Sequence, residues 1–408
     1  MRILYLSQLI PNPPDAGPKV RIYHVLQYLA KAGHEITLVA FRRESDREED
    51  TAALSHYCSS VHTVMMHRSR SQDVKHLAKS LLTRQPFLIS RDSVAAMHRR
   101  VRELLARQSF DAIHADQLWM AQYALAASAV NGANGRPKLV LDQHNAVHLI
   151  PDRLASGTSN PVKRALLQLE SGRLARYELE VCRQFDCVIW VTQEDRAALA
   201  RLENGRGQIA GQPVIPICVD PAAKPPVCRL ETARRITFLG GMHWPPNAEG
   251  VTWFAKGVWP RVNEQVPDAV LTVIGKNPPS SLSGRDLRDA NVEAPGYVAD
   301  LESYLAETAV FIVPLQAGGG MRVKIVDAWS WGLPVVSTTI GAEGLSYVDG
   351  GNLFLADDPD AFARAVISLL NEPELSEQLA AAGRVAVEAQ YDWRKEYRAW
   401  DEVYPSPC

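Results

Sequence analysis

The chain has 408 residues, 46% of them apolar and 22% charged, the balance of a globular protein and not of a disordered or fibrous one. At about 150 residues per domain, that length predicts two or three domains. Lys and Arg total 44 against 46 acids, a formal charge of −2, so the molecule as a whole carries no bias toward nucleic acid.

Short β-branched runs alternate with longer helical patterns along nearly the whole chain. In the first half, strands are predicted at Arg2–Ser7, Glu35–Phe41, Val61–Met66, Ala112–Ala115, Lys138–Asp142 and Cys187–Thr192. Between them, Val20–Ala32 and Lys163–Gln184 carry apolar residues at three- and four-residue intervals, the helical signature. Apolar strands separated by helices predict a parallel sheet covered on both faces, with ligands at the carboxyl ends of its strands. Pro213, Pro216, Pro221, Pro225 and Pro226 then interrupt any regular element, so Pro213–Leu230 reads as a linker. After it the alternation resumes, with strands at Arg235–Leu239, Ala269–Ile274, Val292–Val298, Val310–Pro314 and Pro334–Thr338. Helices over Pro359–Leu370 and Pro373–Gln390 follow, the first opened by the acidic run Asp357–Asp360. Trp393, Tyr397, Trp400 and Tyr404 form an aromatic stripe on a last helix that docks on a domain surface. The expected division is a first domain over 1–215, a second over 216–390, and a terminal helix over 391–408 that packs back toward the first.

Cys58, Cys182, Cys187, Cys218, Cys228 and Cys408 include no C-x-x-C pair and read as reduced packing thiols. The N-terminus lacks the pattern of a secretory signal, and nowhere do 18 apolar residues run together. These features predict a cytoplasmic protein.

The strongest local signal is Gly318-Gly319-Gly320-Met321-Arg322-Val323-Lys324-Ile325-Val326-Asp327, placed between an apolar strand and a helix. Glycines let the backbone approach a ligand, and the first amides of a helix point outward unpaired. Arg322 and Lys324 add positive charge at a helix start, where a cation is unfavourable unless an anion is bound. The functional reading has both on phosphates and Asp327 accepting from ribose hydroxyls. The plain alternative is a flexible loop followed by a surface Lys–Asp pair.

Pro314 through Gly341 resembles the donor-binding segment of glycosyltransferase family four, enzymes of the GT-B fold. More narrowly, it is similar to a bacterial polysaccharide-type subgroup with the pattern G-G-G-x-R-x-K-I-x-[ED]-A. Further pieces agree in order: Pro11–Arg21 with the N-terminal glycine loop, Gly33-His34-Glu35 before the second strand, and Phe110–Asp116 with F-D-x-[IV]-H-x-H. Val214–Asp220 resembles the V-I-P-N-G-V-D linker, Phe238–Asn247 the F-x-G-x-M-x-W-x-P-N segment, and Gly296–Leu301 the G-x-V-x-D-L loop. The resemblance implies an α/β protein of two Rossmann-like parallel-sheet domains facing a deep interdomain cleft, the first binding acceptor and the second donor. It implies a retaining transfer of a sugar from a nucleoside-diphosphate sugar, a co-substrate, so no cofactor is expected. The implied donor residues are Gly17, Gly241, His243, Tyr297, Val298, Gly318, Gly319, Gly320, Met321, Arg322, Lys324 and Asp327. His243 either reaches the donor or only shapes its turn.

Departures from the family pattern matter as well. Where many members carry a pair of glutamates, this chain has Gly319 and Asp327, and His243 and Trp244 stand where a diphosphate-clamping arginine and lysine are usual. The second histidine of the Phe110–Asp116 segment is Asp116. In the first domain the expected polar groups at the reacting sugar are His114, Asp116 and His144, with Asp142-Gln143-His144-Asn145 lining the acceptor side or forming a turn. Lys19 or Arg21 stands ready near the Gly17 loop. No H-x-x-x-H or H-E-x-x-H occurs and no metal site is expected, charge being met by Arg, Lys and helix amides.

From Met66 to Arg107, ten Lys and Arg stand against three acids, an excess of +7, interleaved with Leu77, Leu81, Leu82, Phe87, Leu88 and Ile89. This stretch reads as an anionic membrane-surface or acceptor patch, or else as a solvated helix face. The expected partners are a nucleotide-sugar donor and a glycan, lipid-linked or other hydroxyl acceptor, with no nucleic acid. Two alternatives stay open: a non-hydrolysing sugar-nucleotide epimerase of the same fold, and a non-catalytic sugar-nucleotide or polysaccharide-binding protein.

Overall fold

A computed structural model describes residues 1–128, 136–203, 209, 211–279, 282 and 291–405; Cys408 lies outside them. The chain divides into two compact units, Met1–Cys218 with Trp393–Cys408, and Val219–Asp392.

Twelve strands build the two units: β1 Arg2–Ser7, β2 Glu35–Arg42, β3 Ser60–Met65, β4 Ala112–Asp116, β5 Lys138–Gln143, β6 Cys187–Trp190, β7 Arg235–Leu239, β8 Val270–Ile274, β9 Val292–Gly296, β10 Thr308–Val313, β11 Val335–Ser337 and β12 Phe354–Leu355. The first unit holds a parallel sheet in the order β3-β2-β1-β4-β5-β6, and the second a parallel sheet in the order β12-β11-β10-β7-β8-β9. Both are doubly wound. Their strand order reverses beside β1 and beside β7, where the carboxyl ends of neighbouring strands open onto loops that diverge to opposite faces.

Alternation along β1 explains the layering of the first unit. Leu4 and Leu6 join one buried cluster with Val39, Phe41, Ile113 and Leu141, while Ile3 and Tyr5 join a second with Ile36, Leu38, Val140 and Ile189. The second cluster takes in Trp393, Tyr397, Trp400 and Tyr404, all buried. Their stripe is not one helix: Trp393–Glu396 and Trp400–Val403 are α-helical and Tyr397–Ala399 is a 3₁₀ turn, a broken path that keeps all four rings on the sheet. Several predicted strand ends shorten by a residue or two, and at β6 and β9 the cause is local. β6 stops at Trp190 because Thr192 instead caps the helix Gln193–Ala200, accepting from Asp195 N. β9 stops at Gly296, whose φ of +82° turns the chain away before Tyr297.

The basic stretch splits into separate elements. Helix Ala95–Arg107 buries Met97, Val101 and Leu104, and Ile89 is buried with them. Arg68 and Arg91 both pair with the buried Asp92, at 2.9 and 3.0 Å. Of the apolar residues interleaved in this stretch, Ile89 is buried in the core and Leu88 packs against it, while Leu77 and Leu82 on helix Arg70–Thr83 stay exposed. Among the described residues no helix is long and apolar enough to cross a membrane.

Candidate functional site

In the first unit the polar residues gather at the carboxyl ends of β4 and β5. Arg21, fully buried on helix Gly17–Lys31, grips Asp142 with both ends of its fork, Nε and Nη2 each donating at 2.7 Å. Its Nη1 donates to the carbonyls of Ile215 and Pro216 at 2.8 and 3.0 Å. Just past β5, His144 Nε2 lies 2.9 Å from Asp116 Oδ1 and 3.7 Å from Asp142 Oδ2. Gln117, turned to φ +67°, ends β4 and donates its side-chain amide to Asp116.

The charges of this cluster balance: Arg21 and His144 against Asp116 and Asp142. Burial works against the Arg21 cation, and Asp142 outweighs it, so the guanidinium pKa rises. Burial also opposes His144, but Asp116 and then Asp142 lift it from 6.5 to about 9. Burial alone would raise Asp142; Arg21 and His144 together hold its carboxyl below the usual range.

His114 lies beside this cluster, its Nε2 3.9 Å from Asp142 Oδ2. It lies within β4 with no exposure, stacks on Tyr5 at 4.0 Å between ring centres, and shares a 2.8 Å hydrogen bond between Nδ1 and the Tyr404 hydroxyl. Burial pushes its pKa down to about 3, so it is neutral. It braces the sheet against the C-terminal segment and does not reach solvent. Arg21 likewise serves the buried cluster, and Lys19 pairs with Asp15 at 3.0 Å.

His114, Asp116 and Asp142 each offer a ligand atom within 4.8 Å of the others. Both Asp142 oxygens are engaged by Arg21, Tyr404 engages His114, and His144 already balances Asp116. The donor set therefore fits a self-neutralised polar core better than a cation site.

The loop bearing His144 is fastened by a residue that sequence reading passed over. Glu178, fully buried on helix Pro161–Cys182, accepts from Gln143 Nε2 at 2.8 Å, from Val147 N at 3.0 Å and from His148 Nδ1 at 2.7 Å. In a 22-residue helix of mixed charge, nothing in its spacing marks it as the buried one.

In the second unit the glycine loop follows β10 and leads into helix Val323–Ser330. Gly318 at φ +135° and Gly320 at φ +74° take conformations that side chains avoid, and a Cβ on Gly318 would stand 2.6 Å from Arg322 Nη2. Arg322 is buried and donates to the carbonyls of Gly319 and Gly320, bracing the loop from within. Met321 is buried beside it.

Lys324 reaches across to the end of β7. Its Nζ donates to Asn247 Oδ1 at 2.8 Å and lies 4.3 Å from the Phe238 ring centre. Asn247 in turn donates to the Gly241 carbonyl, and His243 folds against Gly241, so a Cβ there would meet its ring at 2.5 Å. Gly275 is equally constrained, a Cβ at that position falling 1.9 Å from the Gly240 carbonyl oxygen. Burial and then the Arg322 charge lower the Lys324 pKa to about 7.

The Lys–Asp pair of the plain alternative is not formed. Asp327 accepts from Lys224, which rises from the proline-rich segment and lies 5.7 Å over the Trp331 ring. Tyr297 is exposed with Lys276 5.2 Å over its ring, Val298 is half-buried, and Trp244 is exposed beside His243. Gly17 opens the first helix of the other unit, next to Pro18.

Residues 16–222 match the family model described as Glycosyltransferase Family 4, and residues 233–372 that described as Glycosyl transferases group 1. An uncharacterized 44.6 kDa protein in the cps region of Klebsiella pneumoniae is 22% identical, with 97% of each chain covered. A phosphatidyl-myo-inositol mannosyltransferase of Mycobacterium tuberculosis is 26% identical over 73% of this chain and 74% of its own. Among solved structures, Anabaena Alr3699/HepE in complex with UDP and glucose aligns with a TM-score of 0.67 at 16% identity, all of both chains being covered.

Proposed function

The chain belongs to glycosyltransferase family 4 and has the GT-B fold, and from that premise we propose that it transfers a sugar from a nucleoside-diphosphate sugar to a hydroxyl acceptor, with retention and without a metal ion. That it is a glycosyltransferase leaves no place for the epimerase and binding-protein alternatives. The observation that carries the donor reading is the glycine loop at the β7–β10 switch point. There Arg322 braces the loop and Lys324 meets an amide oxygen and a ring face.

In this reading the donor diphosphate lies along Gly318, Gly319, Gly320 and Met321, facing the first amides of helix Val323–Ser330. Lys324 and Arg322 offset the two negative charges of the bound diphosphate and the third that develops as its bond to the anomeric carbon breaks. Gly241, His243, Tyr297 and Val298 border the nucleoside, with the Tyr297 ring offered as an exposed face. Asp327, tied to Lys224, accepts from ribose while Lys224 keeps its charge local. UDP in the complex of the Anabaena protein favours a uridine nucleotide as the first donor to try.

In the first unit, Gly17, His144 and Asp116 would border the acceptor. A His144 held cationic by Asp116 cannot take the proton of the acceptor hydroxyl. That proton then goes to an oxygen of the departing diphosphate as the new glycosidic bond forms on the same face, which is the retaining outcome. The relatives in a cps region and on phosphatidyl-myo-inositol favour a role in polysaccharide or glycoconjugate assembly, at an anionic membrane surface.

The test is a transfer assay with a glycosyl-lipid or glycan acceptor and each common nucleotide sugar, in EDTA, with the product anomer read by NMR. The expected result is an α-linked product from an α-linked donor at undiminished rate. Inversion, or loss of activity restored by a divalent ion, would overturn the retaining, metal-independent reading.

A further inference from the structure

Helix Pro161–Cys182 buries one stripe, Ser171, Leu174, Glu178, Val181 and Cys182. Glu178 stands in it where helical spacing calls for an apolar side chain, and it has no exposure. A carboxylate taken out of water is costly unless hydrogen bonds replace that water.

The donors that replace it come from one short segment, residues 143–148, which carries His144 from the end of β5 toward helix Leu149–Gly157. Glu178 Oε1 accepts from Gln143 Nε2 and Val147 N at 2.8 and 3.0 Å, and Oε2 from His148 N and Nδ1 at 3.4 and 2.7 Å. From helix Gln193–Ala200 the buried Asp195 accepts from Ala146 N at 2.7 Å and from the Thr192 hydroxyl at 2.5 Å. Ser171, two turns before Glu178 on the same stripe, donates to the His148 carbonyl at 3.0 Å. The successive amides of Ala146, Val147 and His148 thus all end on buried carboxylates from two helices.

The plain alternative is that these carboxylates only satisfy the turn leading into helix Leu149–Gly157. Neutral oxygens do that work elsewhere in the unit, Ser69 and Asn160 capping helices Arg70–Thr83 and Pro161–Cys182. Two carboxylates sunk in the core exceed what a turn requires. Between the clamped amides and β5 stands His144. Neither nitrogen of its ring makes an aligned hydrogen bond among the described residues. Nε2 meets Asp116 Oδ1 as a charge contact at 2.9 Å, with Asp142 Oδ2 3.7 Å away. The ring is therefore placed by its backbone, and that backbone is held by Gln143 before it and residues 146–148 after it.

We propose that Glu178 is a positioning residue for sugar transfer: with Asp195 opposite, it clamps the segment that sets the His144 ring against Asp116, and acceptor alignment depends on that setting. This role rests on the acceptor-side reading of His144 given above and adds the buried carboxylates through which the ring is oriented.

The experiment is a double-mutant cycle in the full chain, Glu178→Met against His144→Ala. It is read as acceptor kcat/KM with the nucleotide sugar and glycosyl-lipid that the transfer assay pairs. Met suits the apolar stripe and removes both acceptor oxygens. A misplacement of about 1 Å costs roughly 10²-fold in rate, so Glu178→Met is expected to lower kcat/KM about 10²-fold in the wild-type background and no further in His144→Ala. A carboxylate that only stabilised the fold would lower it equally in both. Affinity for the donor's nucleoside diphosphate should not change, since the glycine loop belongs to the other unit.

NMR of histidine-labelled protein supplies a readout that needs no substrate, His144→Ala assigning the resonance. Burial lowers the His144 pKa, and Asp116 and then Asp142 lift it to about 9; in Glu178→Met the midpoint should fall toward 6.5. Ser171→Ala loosens the same segment more gently and carries the test if Glu178→Met does not fold. Its expected loss is about fivefold, the worth of one hydrogen bond, and is again absent in His144→Ala. With His144→Ala impaired, losses that add, no loss at all, or an unmoved His144 titration would overturn the positioning role alone. His144→Ala at wild-type turnover would overturn the acceptor reading and this role with it.

Discussion

The two units place charge at the same structural position, the carboxyl ends of strands at a switch point, and treat it in opposite ways. In the first unit Arg21, Asp142, His144 and Asp116 neutralise one another within the fold, and each is buried. In the second, burial and then Arg322 depress the pKa of Lys324, which meets an amide oxygen and a ring face. The first arrangement is electrically complete before any ligand arrives. In the proposed reading the second gains stability when an anion enters. The contrast assigns structure and orientation to one cluster and ligand charge to the other, although both contain cations at strand ends.

The largest effect that could break the comparison is on stability. Arg21→Met leaves Asp142 buried without its partner, and the expected loss in denaturant unfolding is about 3–5 kcal/mol. A near-wild-type midpoint would mean the pair is dispensable to the fold. Lys324→Ala should do the reverse. Turnover is expected to fall roughly 10²–10³-fold, as for other lost donors to developing charge, with the unfolding midpoint unmoved.

Acidity sharpens the same contrast, with opposite signs. Lys324 sits at about 7 in the folded protein against an ordinary 10.5, so its cation is lost as pH rises through 7. Nucleoside-diphosphate affinity should therefore fall above pH 7, by up to about tenfold per unit, and Lys324→Arg should flatten the curve in calorimetric titration. His144 is raised from 6.5 to about 9. Its contribution to stability is fully present below 6.5 and is lost as pH rises through 9, on the order of 1–3 kcal/mol. Asp116→Asn should remove that slope; an unchanged slope would show that another group sets it.

These pairings also show what the sequence could and could not reveal. The triple glycine followed by Arg322 and Lys324 was legible because its chemistry is local: backbone freedom, helix start and charge lie within ten residues. The aromatic stripe was legible in the same way, by spacing, though its break into three short turns was not. Asp142 and His144 were recognisable as polar residues at a strand end. Their partner Arg21 is 121 residues away, and only the parallel pairing that carries β5 to the far side of β4 brings it near. Lys224 and Glu178 gave no signal, since a lysine among prolines and a glutamate in a charged helix look like solvated residues until the fold closes on them. His114, inside β4, meets Tyr404 of the C-terminal segment on one ring nitrogen and lies near Asp142 on the other, a pairing across 290 residues that its motif could not show.

The central claim is that the glycine loop of the second unit is a diphosphate cradle whose charge comes from Lys324. The most direct measurement is thermal unfolding of wild-type and Lys324→Ala protein against UDP, GDP, ADP, TDP and CDP at pH 6.5 in EDTA. A ligand at a hundred times its dissociation constant adds about 2.7 kcal/mol, a readily measured rise in Tm. One nucleotide is expected to raise the wild-type Tm and leave the variant where it was. No shift with any nucleotide, or the same shift in both proteins, would contradict the claim.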